Sequence, residues 1–179
     1  IQNVCNKYVN KFFKKKIKRG CFLNFFFARF DEQKIVSFLI CFLWIMKNFS
    51  IKIKVRYCET DQMGLVHHGS YINYFEEARI SWISNLGLSY NEMEKSGIIL
   101  PVSKLNVSYL RPAYFDDDLE VNVELAELPT SRLIFNYTIK NKDEVVVKGT
   151  TVLAFLNKES KNPVRCPDYM LEKVTPLFK

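Results

Sequence analysis

Glycine, proline and histidine are scarce in this sequence, cysteine is scarce after residue 46, and each shortage excludes a class of protein. Six glycines and six prolines among 179 residues are too few for a collagen-like or low-complexity chain. The two histidines, His67 and His68, are adjacent and lack further ligands around them, so no metal site is expected. Only Cys58 and Cys166 follow Met46, which argues against a disulfide framework and favours a reducing cytoplasm.

A long hydrophobic run is also missing. The apolar stretch from Ile35 to Met46 is about a dozen residues, whereas a membrane-spanning helix needs about 20. A basic stretch precedes it, as in a signal peptide, but the apolar run lies far from the start and no small-x-small cleavage site follows. We therefore interpret residues 1–45 as a leader outside the native domain, and residues 46–179 as the domain. A membrane-associated segment is the alternative interpretation of the leader.

The net charge of +7 at first suggests a nucleic-acid partner. However, residues 1–45 hold nine Lys and Arg against two Asp and Glu, which accounts for the whole net charge. Residues 46–179 hold 17 basic and 17 acidic residues and are therefore neutral. A nucleic-acid partner is not expected, because nothing concentrates positive charge on the predicted domain.

The order of predicted elements is one strand, a long helix, a short helix and further strands. Apolar and polar residues alternate through Phe49–Tyr57, which predicts a half-buried strand. Tyr71–Leu86 has a helical pattern, with Ser70 as the expected N-cap and Gly87 as the stop. A capping-box pattern at Ser89 predicts the short helix. The later strand-like runs have short connections and should be antiparallel: Val102–Leu110, Leu119–Leu128, Arg132–Lys140 and Val145–Leu156.

The long predicted helix is apolar around most of its circumference. A polar stripe centred on Asn73 and Glu77 is narrow, so the helix should be largely enclosed by the sheet. Ile80 falls inside this stripe, which indicates a subunit contact. Arg79 falls on the apolar face, where an unpaired charge is costly, and Glu76 is its expected partner. The pattern predicts an α+β fold with a curved antiparallel sheet of about five strands wrapped around one central helix.

The loop before this helix carries a family resemblance. The run RYCETDQMGLVHHGSY at residues 56–71, continued by INYFEEAR to residue 79, closely resembles the 4-hydroxybenzoyl-CoA thioesterase-like family of hotdog-fold enzymes. The segment VSYLRPA at residues 107–113 and the acidic turn at residues 116–118 are similar to that family as well. Within the family, the chain looks most similar to the short acyl-CoA thioesterases associated with the Tol–Pal system.

The resemblance implies hydrolysis of acyl-CoA thioesters to a free acid and coenzyme A. Asp61 matches the family's carboxylate, which acts as general base on water or as nucleophile. The implied oxyanion donors are the backbone N–H groups of His68 and Gly69, where the loop enters the positive end of the helix. Tyr71 is expected to contact substrate. No cofactor is implied beyond the coenzyme A of the substrate, and the family's pairing predicts a homodimer or homotetramer with the acyl pocket at the subunit boundary.

Three further residues are weaker candidates. Glu76 lies at the border of the polar stripe and could face a cleft, as a helix Glu does in some hotdog thioesterases. Arg111 and Lys104 could meet the phosphates of coenzyme A, although solvated surface is an equal alternative for both. Cys58 is interpreted as a core thiol at the end of a strand.

Other functions remain open at this stage. A Ser70, His68 and Asp61 triad is rejected, because these residues share one short loop and no G-x-S-x-G elbow exists. The motifs of a hotdog dehydratase are absent. An acyl-carrier-protein thioesterase differs only in the carrier and stays an alternative. A non-catalytic acyl-CoA-binding module is the other, and Asp61 argues against it.

Overall fold

The computed structural model describes residues 49–178. The interpretation of residues 1–45 as a leader, and of Met46 as the start of the domain, lies outside this range. The described residues form a five-stranded antiparallel sheet and one long helix, so the predicted α+β architecture is confirmed. Within this range, no helix has both the length and the hydrophobicity that crossing a bilayer requires.

The elements follow one another in the predicted order. The helices are α1 (Ser70–Asn85), α2 (Tyr90–Lys95) and α3 (Asp168–Val174), with single 3-10 turns at Tyr57–Glu59 and Thr175–Phe178. The strands are β1 (Phe49–Lys54), β2 (Ile98–Ile99), β3 (Val102–Tyr109), β4 (Asp118–Leu125), β5 (Arg132–Asn141), β6 (Glu144–Ala154) and β7 (Leu156–Asn157). The main sheet has the order β1-β4-β5-β6-β3, and β2 pairs with β7 separately.

The core lies between α1 and one face of the main sheet. Alternation along β4 and β5 buries every second side chain, as a sheet with one covered face requires: Leu119, Val121, Val123, Leu125, Leu133, Phe135, Tyr137 and Ile139. Phe75 of α1 stacks on Tyr137 with 4.4 Å between ring centroids. Trp82, two turns further along the helix, meets Phe135 edge-on at 5.2 Å. These ring pairs fix the helix to the central strands.

Helix α1 is enclosed on one side only. Its sheet-facing residues are fully buried, whereas the opposite side is exposed: Ile72, Asn73, Glu76, Glu77, Ile80 and Ser84. Ile72 and Ile80 are each 38% exposed. The expectation that the helix is enclosed around most of its circumference is therefore wrong for a single chain, because one sheet covers only one side of a helix.

Strand β3 is one of the two edge strands of the main sheet, and β1 is the other. Strand β3 pairs with β6 on one side and with no other strand among residues 49–178. None of its eight residues is fully buried. An unpaired strand of this length exposes backbone N–H and C=O groups, which can pair with another chain.

Several element ends differ from the predictions. Strand β1 stops at Lys54 because Val55 bonds instead to the backbone of residues 116 and 117, and Tyr57 is left 78% exposed. The N-cap of α1 is Gly69, not Ser70, since the Ser70 hydroxyl donates to the carbonyl of Glu59 at 3.0 Å.

Two other helix ends are as predicted. Gly87 has a φ of +72° directly after the end of α1, the left-handed conformation in which a glycine commonly terminates a helix. The Ser89 side chain accepts a hydrogen bond from the Glu92 backbone and caps α2. Helix α3 was not predicted, and it packs Met170 and Val174 into the core.

Candidate active site

The loop that precedes α1 is a small antiparallel hairpin. The backbone of Asp61 donates to Leu65 at 2.8 Å, Thr60 pairs with Val66, and His67 donates to the carbonyl of Glu59 at 2.8 Å. This hairpin, residues 59–67, presents Asp61 at its turn and delivers the chain to the start of α1. Asp61 and the first turn of the helix are therefore parts of one hydrogen-bonded unit.

Residues between β3 and β4 anchor the hairpin to the rest of the domain. Val66 donates to the carbonyl of Ala113 at 2.8 Å, and Leu65 forms a β-bridge with Tyr114. The segment at residues 107–113 and the loop at residues 56–71, which share the family resemblance, are thus in direct contact. Their contact depends on the fold and could not be read from spacing in the sequence.

The Asp61 carboxylate is held through one oxygen. Its Oδ1 accepts the backbone N–H of Met63 at 2.8 Å and that of Leu65 at 3.3 Å. Gly64 closes the turn with a φ of +77° and donates to the Asp61 carbonyl at 2.9 Å. Asp61 is therefore a turn residue as well as the candidate catalytic group. The turn fixes the direction of the side chain, and Oδ2 makes no hydrogen bond within the described chain.

Glu59 is the buried carboxylate of the site, and sequence reasoning missed it. One oxygen accepts from the Arg56 guanidinium at 2.6 Å, and the other accepts from the Arg56 backbone and the Tyr74 hydroxyl, both at 2.8 Å. Burial raises the pKa of this carboxyl, but the hydrogen bonds from Arg56 and Tyr74 outweigh burial and leave the pKa below its ordinary value. Glu59 therefore ties the base of the hairpin to α1.

The two predicted oxyanion donors differ in whether their N–H groups are already hydrogen-bonded. The Gly69 N–H donates to Nδ1 of His67 at 3.1 Å, so it is already engaged. The His68 N–H has no hydrogen-bond partner in the part of the chain that the structure describes. His68 therefore supplies the free donor at the N-terminus of α1, where the helix dipole also favours negative charge.

Tyr71 and Glu76 lie on opposite sides of α1. The Tyr71 side chain is 3% exposed and its ring lies between those of Tyr74 and Tyr109, at 5.8 and 5.7 Å. Burial raises the pKa of the Tyr71 hydroxyl to about 12. Glu76 is on the exposed side of the helix. The hairpin brings neither side chain next to the Asp61 carboxylate, and their roles with substrate stay predictions.

The expected ion pair between Glu76 and Arg79 is wrong. The ion pairs among residues 49–178 do not include it, and the Arg79 side chain is buried beside the phenol groups of Tyr90 and Tyr137. Arg79 points towards the sheet whereas Glu76 points to the open side. Two residues three positions apart on a helix can lie on either side of the boundary between its buried and exposed faces. Phenol groups rather than a carboxylate lie beside Arg79, and within residues 49–178 neither its Nε nor the Tyr90 hydroxyl forms a hydrogen bond.

The candidate phosphate-binding residues are both exposed. Arg111 lies two residues after β3 and is paired with Glu144 at 2.6 Å. Lys104 lies on the open edge strand. The structure therefore puts both cations on the β3 side of the domain, and it does not show them converging on one site.

The two cysteines among the described residues differ in exposure. Cys58 is exposed, so its interpretation as a core thiol is wrong: the 3-10 turn that replaces the end of the strand carries it outward. Cys166 is buried, which raises the pKa of its thiol to about 12. No cluster of three or more His, Cys, Asp or Glu side chains suited to a metal ion occurs in residues 49–178.

Comparison with known proteins identifies the family. A family model of the thioesterase-like superfamily matches residues 55–174. YneP of Bacillus subtilis (strain 168), described as a candidate acyl-CoA thioesterase, is 35% identical over 115 residues, covering 64% of this chain and 83% of that protein. The acyl-CoA thioester hydrolase YbgC of Escherichia coli O157:H7 is 30% identical over 105 residues, covering 59% of this chain and 78% of YbgC.

A solved structure leads to the same family. A DHNA-CoA thioesterase from Staphylococcus aureus matches with a TM-score of 0.69 and 35% sequence identity, covering 73% of this chain and 91% of that one. The predicted hotdog fold is confirmed, while the assignment to the Tol–Pal-associated branch stays a prediction. The chain belongs to the thioesterase-like superfamily.

Proposed function

We propose that this protein hydrolyses acyl-CoA thioesters, with Asp61 as the reacting carboxylate and the His68 N–H as the main oxyanion donor. One observation carries the proposal. A single hairpin holds the Asp61 carboxylate by its Oδ1 and is followed by the free N–H of His68, directly before the N-cap of α1. Thioester hydrolysis needs these two groups: one that attacks or activates water, and one that stabilises the tetrahedral oxyanion.

Asp61 can act in two ways with this geometry. As a general base, Oδ2 takes a proton from water, and the resulting hydroxide attacks the thioester carbonyl carbon. As a nucleophile, Oδ2 attacks that carbon itself, coenzyme A leaves as the thiolate, and water then hydrolyses the mixed anhydride. In both routes the tetrahedral intermediate collapses by breaking the carbon–sulfur bond, and the thiolate ends as the protonated thiol.

The carbonyl oxygen needs hydrogen bonds while it carries negative charge. The His68 N–H is free to donate one, and the dipole of α1 stabilises the same charge. The Gly69 N–H can add a second hydrogen bond only when His67 Nδ1 releases it. We therefore place His68 first and Gly69 second among the donors.

Assembly and the substrate pocket belong to the same proposal. The open side of α1 exposes Ile72 and Ile80, and β3 is an unpaired edge. A second copy of the chain can cover both features, because an edge strand pairs with its own equivalent across a two-fold axis. We propose at least a homodimer, with the acyl pocket at its boundary, where Glu76 would join the site. Tyr71 would then contact the acyl group through small rearrangements of its ring.

The carrier portion of the substrate is proposed to follow the β3 side of the domain. Arg111 lies two residues after Tyr109, whose hydroxyl contacts His68, so its backbone is about 7 Å along the chain from the backbone of Tyr109. Binding a phosphate there requires the Arg111 guanidinium to break its ion pair with Glu144 and to bind the phosphate instead. A planar guanidinium can bind either anion from the same position. Lys104 lies five residues earlier than Tyr109 on the same strand and is the second candidate cation.

The decisive experiment measures free thiol released from a panel of acyl-CoA and acyl-carrier-protein thioesters by the wild type and by Asp61→Asn. We expect turnover of acyl-CoA by the wild type and at least a hundredfold less by the variant, about the scale of general-base catalysis. Preference for acyl-carrier substrates would establish the alternative carrier. Tight acyl-CoA binding without turnover by the wild type would establish a binding module and refute the proposal.

A further inference from the structure

Tyr109 contacts the oxyanion segment from the open edge of the sheet. It is the last residue of β3, and its hydroxyl donates a hydrogen bond to the carbonyl oxygen of His68 at 3.0 Å. Its ring lies 5.7 Å from the ring of Tyr71 and remains 49% exposed. A half-exposed ring contributes little to the hydrophobic core, so the hydroxyl contact is the feature of Tyr109 that needs an explanation.

This hydrogen bond is one of two that fix the peptide unit between His68 and Gly69. The carbonyl end accepts from Tyr109, and the N–H end donates to Nδ1 of His67 at 3.1 Å. A peptide unit is planar, so restraining both ends fixes its orientation.

The preceding peptide unit is fixed as well. The carbonyl of His67 accepts the Ser70 N–H at 2.9 Å, and this unit carries the His68 N–H at its other end. The two peptide planes on either side of the His68 Cα are thus both restrained through their carbonyls. The His68 N–H is the group that this arrangement leaves without a partner in the described chain.

We infer that Tyr109 is a positioning residue for thioester hydrolysis: its hydroxyl holds the peptide that follows His68, the Ser70 N–H holds the peptide that precedes it, and together they fix both planes at the His68 Cα so that the His68 N–H keeps its direction. This inference rests on the proposed function. An oxyanion donor is effective because it is aligned before charge develops, and a misplacement of about 1 Å can cost about a hundredfold in rate. Tyr109 supplies this alignment without touching the substrate.

The first test compares Tyr109→Phe and Tyr109→Ala with the wild type. The phenylalanine keeps the ring against Tyr71 and removes only the hydroxyl. We expect kcat to fall about tenfold and KM to stay within about twofold, since the donor is present but less well aligned in the transition state. The alanine variant should lower the melting temperature as well. A purely structural role requires the reverse, with normal kcat in the phenylalanine variant and losses only in the alanine variant.

The matched control is Tyr169→Phe. Tyr169 lies on α3 and is 41% exposed, and the same atom is removed from a tyrosine outside the hairpin. Its kcat and KM should equal those of the wild type.

A second measurement needs no substrate. In protein labelled with ¹³C at the His68 carbonyl, loss of the Tyr109 hydroxyl should shift the carbonyl resonance upfield, and the Gly69 amide should exchange with solvent faster. The Tyr169→Phe protein should show neither change.

The two measurements separate this inference from the proposed function. Normal kcat in Tyr109→Phe, with an inactive Asp61→Asn, would overturn the positioning role and leave the hydrolysis intact. An unchanged His68 carbonyl resonance would overturn it whatever the activity. If the wild type hydrolyses no thioester, the proposed function fails, and a positioning role in that reaction fails with it; the shifted resonance would then record only a structural contact.

Discussion

Gly149 of β6 lies directly under the ring of Phe75, and the ring occupies the volume that a side chain at position 149 would need. A Cβ built on Gly149 overlaps Cε2 and Cζ of Phe75. The same ring stacks on Tyr137, which pairs with Gly149 across the sheet. The glycine is therefore required for close packing of α1 on the sheet, not for an unusual backbone angle.

Gly149→Ala is expected to destabilise the fold. Overpacking of a filled core costs about 1–3 kcal/mol, because the ring of Phe75 must move off Tyr137. The measurement is urea unfolding, with Lys148→Ala on the exposed neighbouring position as control; that variant should change stability by less than about 0.5 kcal/mol. Adding Phe75→Leu to Gly149→Ala should recover part of the loss, since the two sites are coupled. If the stability losses of the two single variants simply add in the double variant, the ring of Phe75 is not the cause of the Gly149→Ala loss.

Glu59→Gln is expected to lower stability and to alter its dependence on pH. The pKa of Glu59 is below its ordinary value of 4.5 in the folded chain, so its stabilising contribution is complete above 4.5 and is lost as pH falls through the lower folded-state value. The variant should lose about 1–3 kcal/mol at neutral pH, the scale of hydrogen bonds to a charged group, and its stability should decline less in acid. Glu124→Gln, at an exposed position of β4, is the control. If the stability of the wild type and of Glu59→Gln falls equally as the pH is lowered, the lowered pKa of Glu59 in the folded chain is contradicted.

Asp61→Asn should reduce kcat by at least about a hundredfold while the protein stays folded. The asparagine oxygen can still accept the N–H groups of Met63 and Leu65, so the turn should persist and the melting temperature should change little. Glu159→Gln, which removes a carboxylate from the loop after β7, should retain full activity. Nearly normal turnover by well-folded Asp61→Asn would remove Asp61 from the mechanism.

His68→Ala is expected to lose at most about tenfold in kcat. Alanine keeps the backbone N–H, and loss of an oxyanion donor itself costs about 10²–10³-fold. The imidazole contacts that of His67 in a tilted arrangement with 4.1 Å between ring centroids, so its loss should affect loop order more than chemistry. Steady-state kinetics of His68→Ala beside Asp61→Asn makes the comparison. A collapse of activity in His68→Ala alone would transfer the chemistry to the imidazole.

Ile80→Asp should weaken self-association. Ile80 is 38% exposed on the open side of α1, where a second subunit is proposed to pack, and a buried carboxylate there would be unpaired. Sedimentation velocity should show a smaller species than the wild type at micromolar concentration, with lower activity. Glu92→Lys on the exposed side of α2 is the control for a change of charge. A fully active wild-type monomer would refute the subunit-boundary site.

The sequence predicted the elements whose signals are local. Alternation and short turns predicted the strands, the glycine at position 87 marked the end of α1, and the serine at position 89 capped α2. The missed features depend on contacts between distant segments. Arg79 lies beside phenol groups on α2 and β5 rather than beside Glu76, and no spacing within α1 indicates this.

The candidate site also contains residues that the sequence predicted and contacts that it could not predict. Asp61, His68 and Gly69 could be named because they lie within one short run that resembles a family. The hydrogen bond from the Gly69 N–H to His67 and the reach of Tyr109 from β3 could not be predicted, since both depend on side-chain directions set by the fold.

The ladder of the hairpin also constrains how this segment can change in length. Three successive pairs join residues 59–61 to residues 65–67, so a residue inserted after Leu65 would displace the pairs that follow it by one position. The carboxylate would then turn to the opposite side of the ladder from the amide that it works with. The pairing therefore fixes the spacing of seven positions from Asp61 to His68 as well as the directions of the two groups.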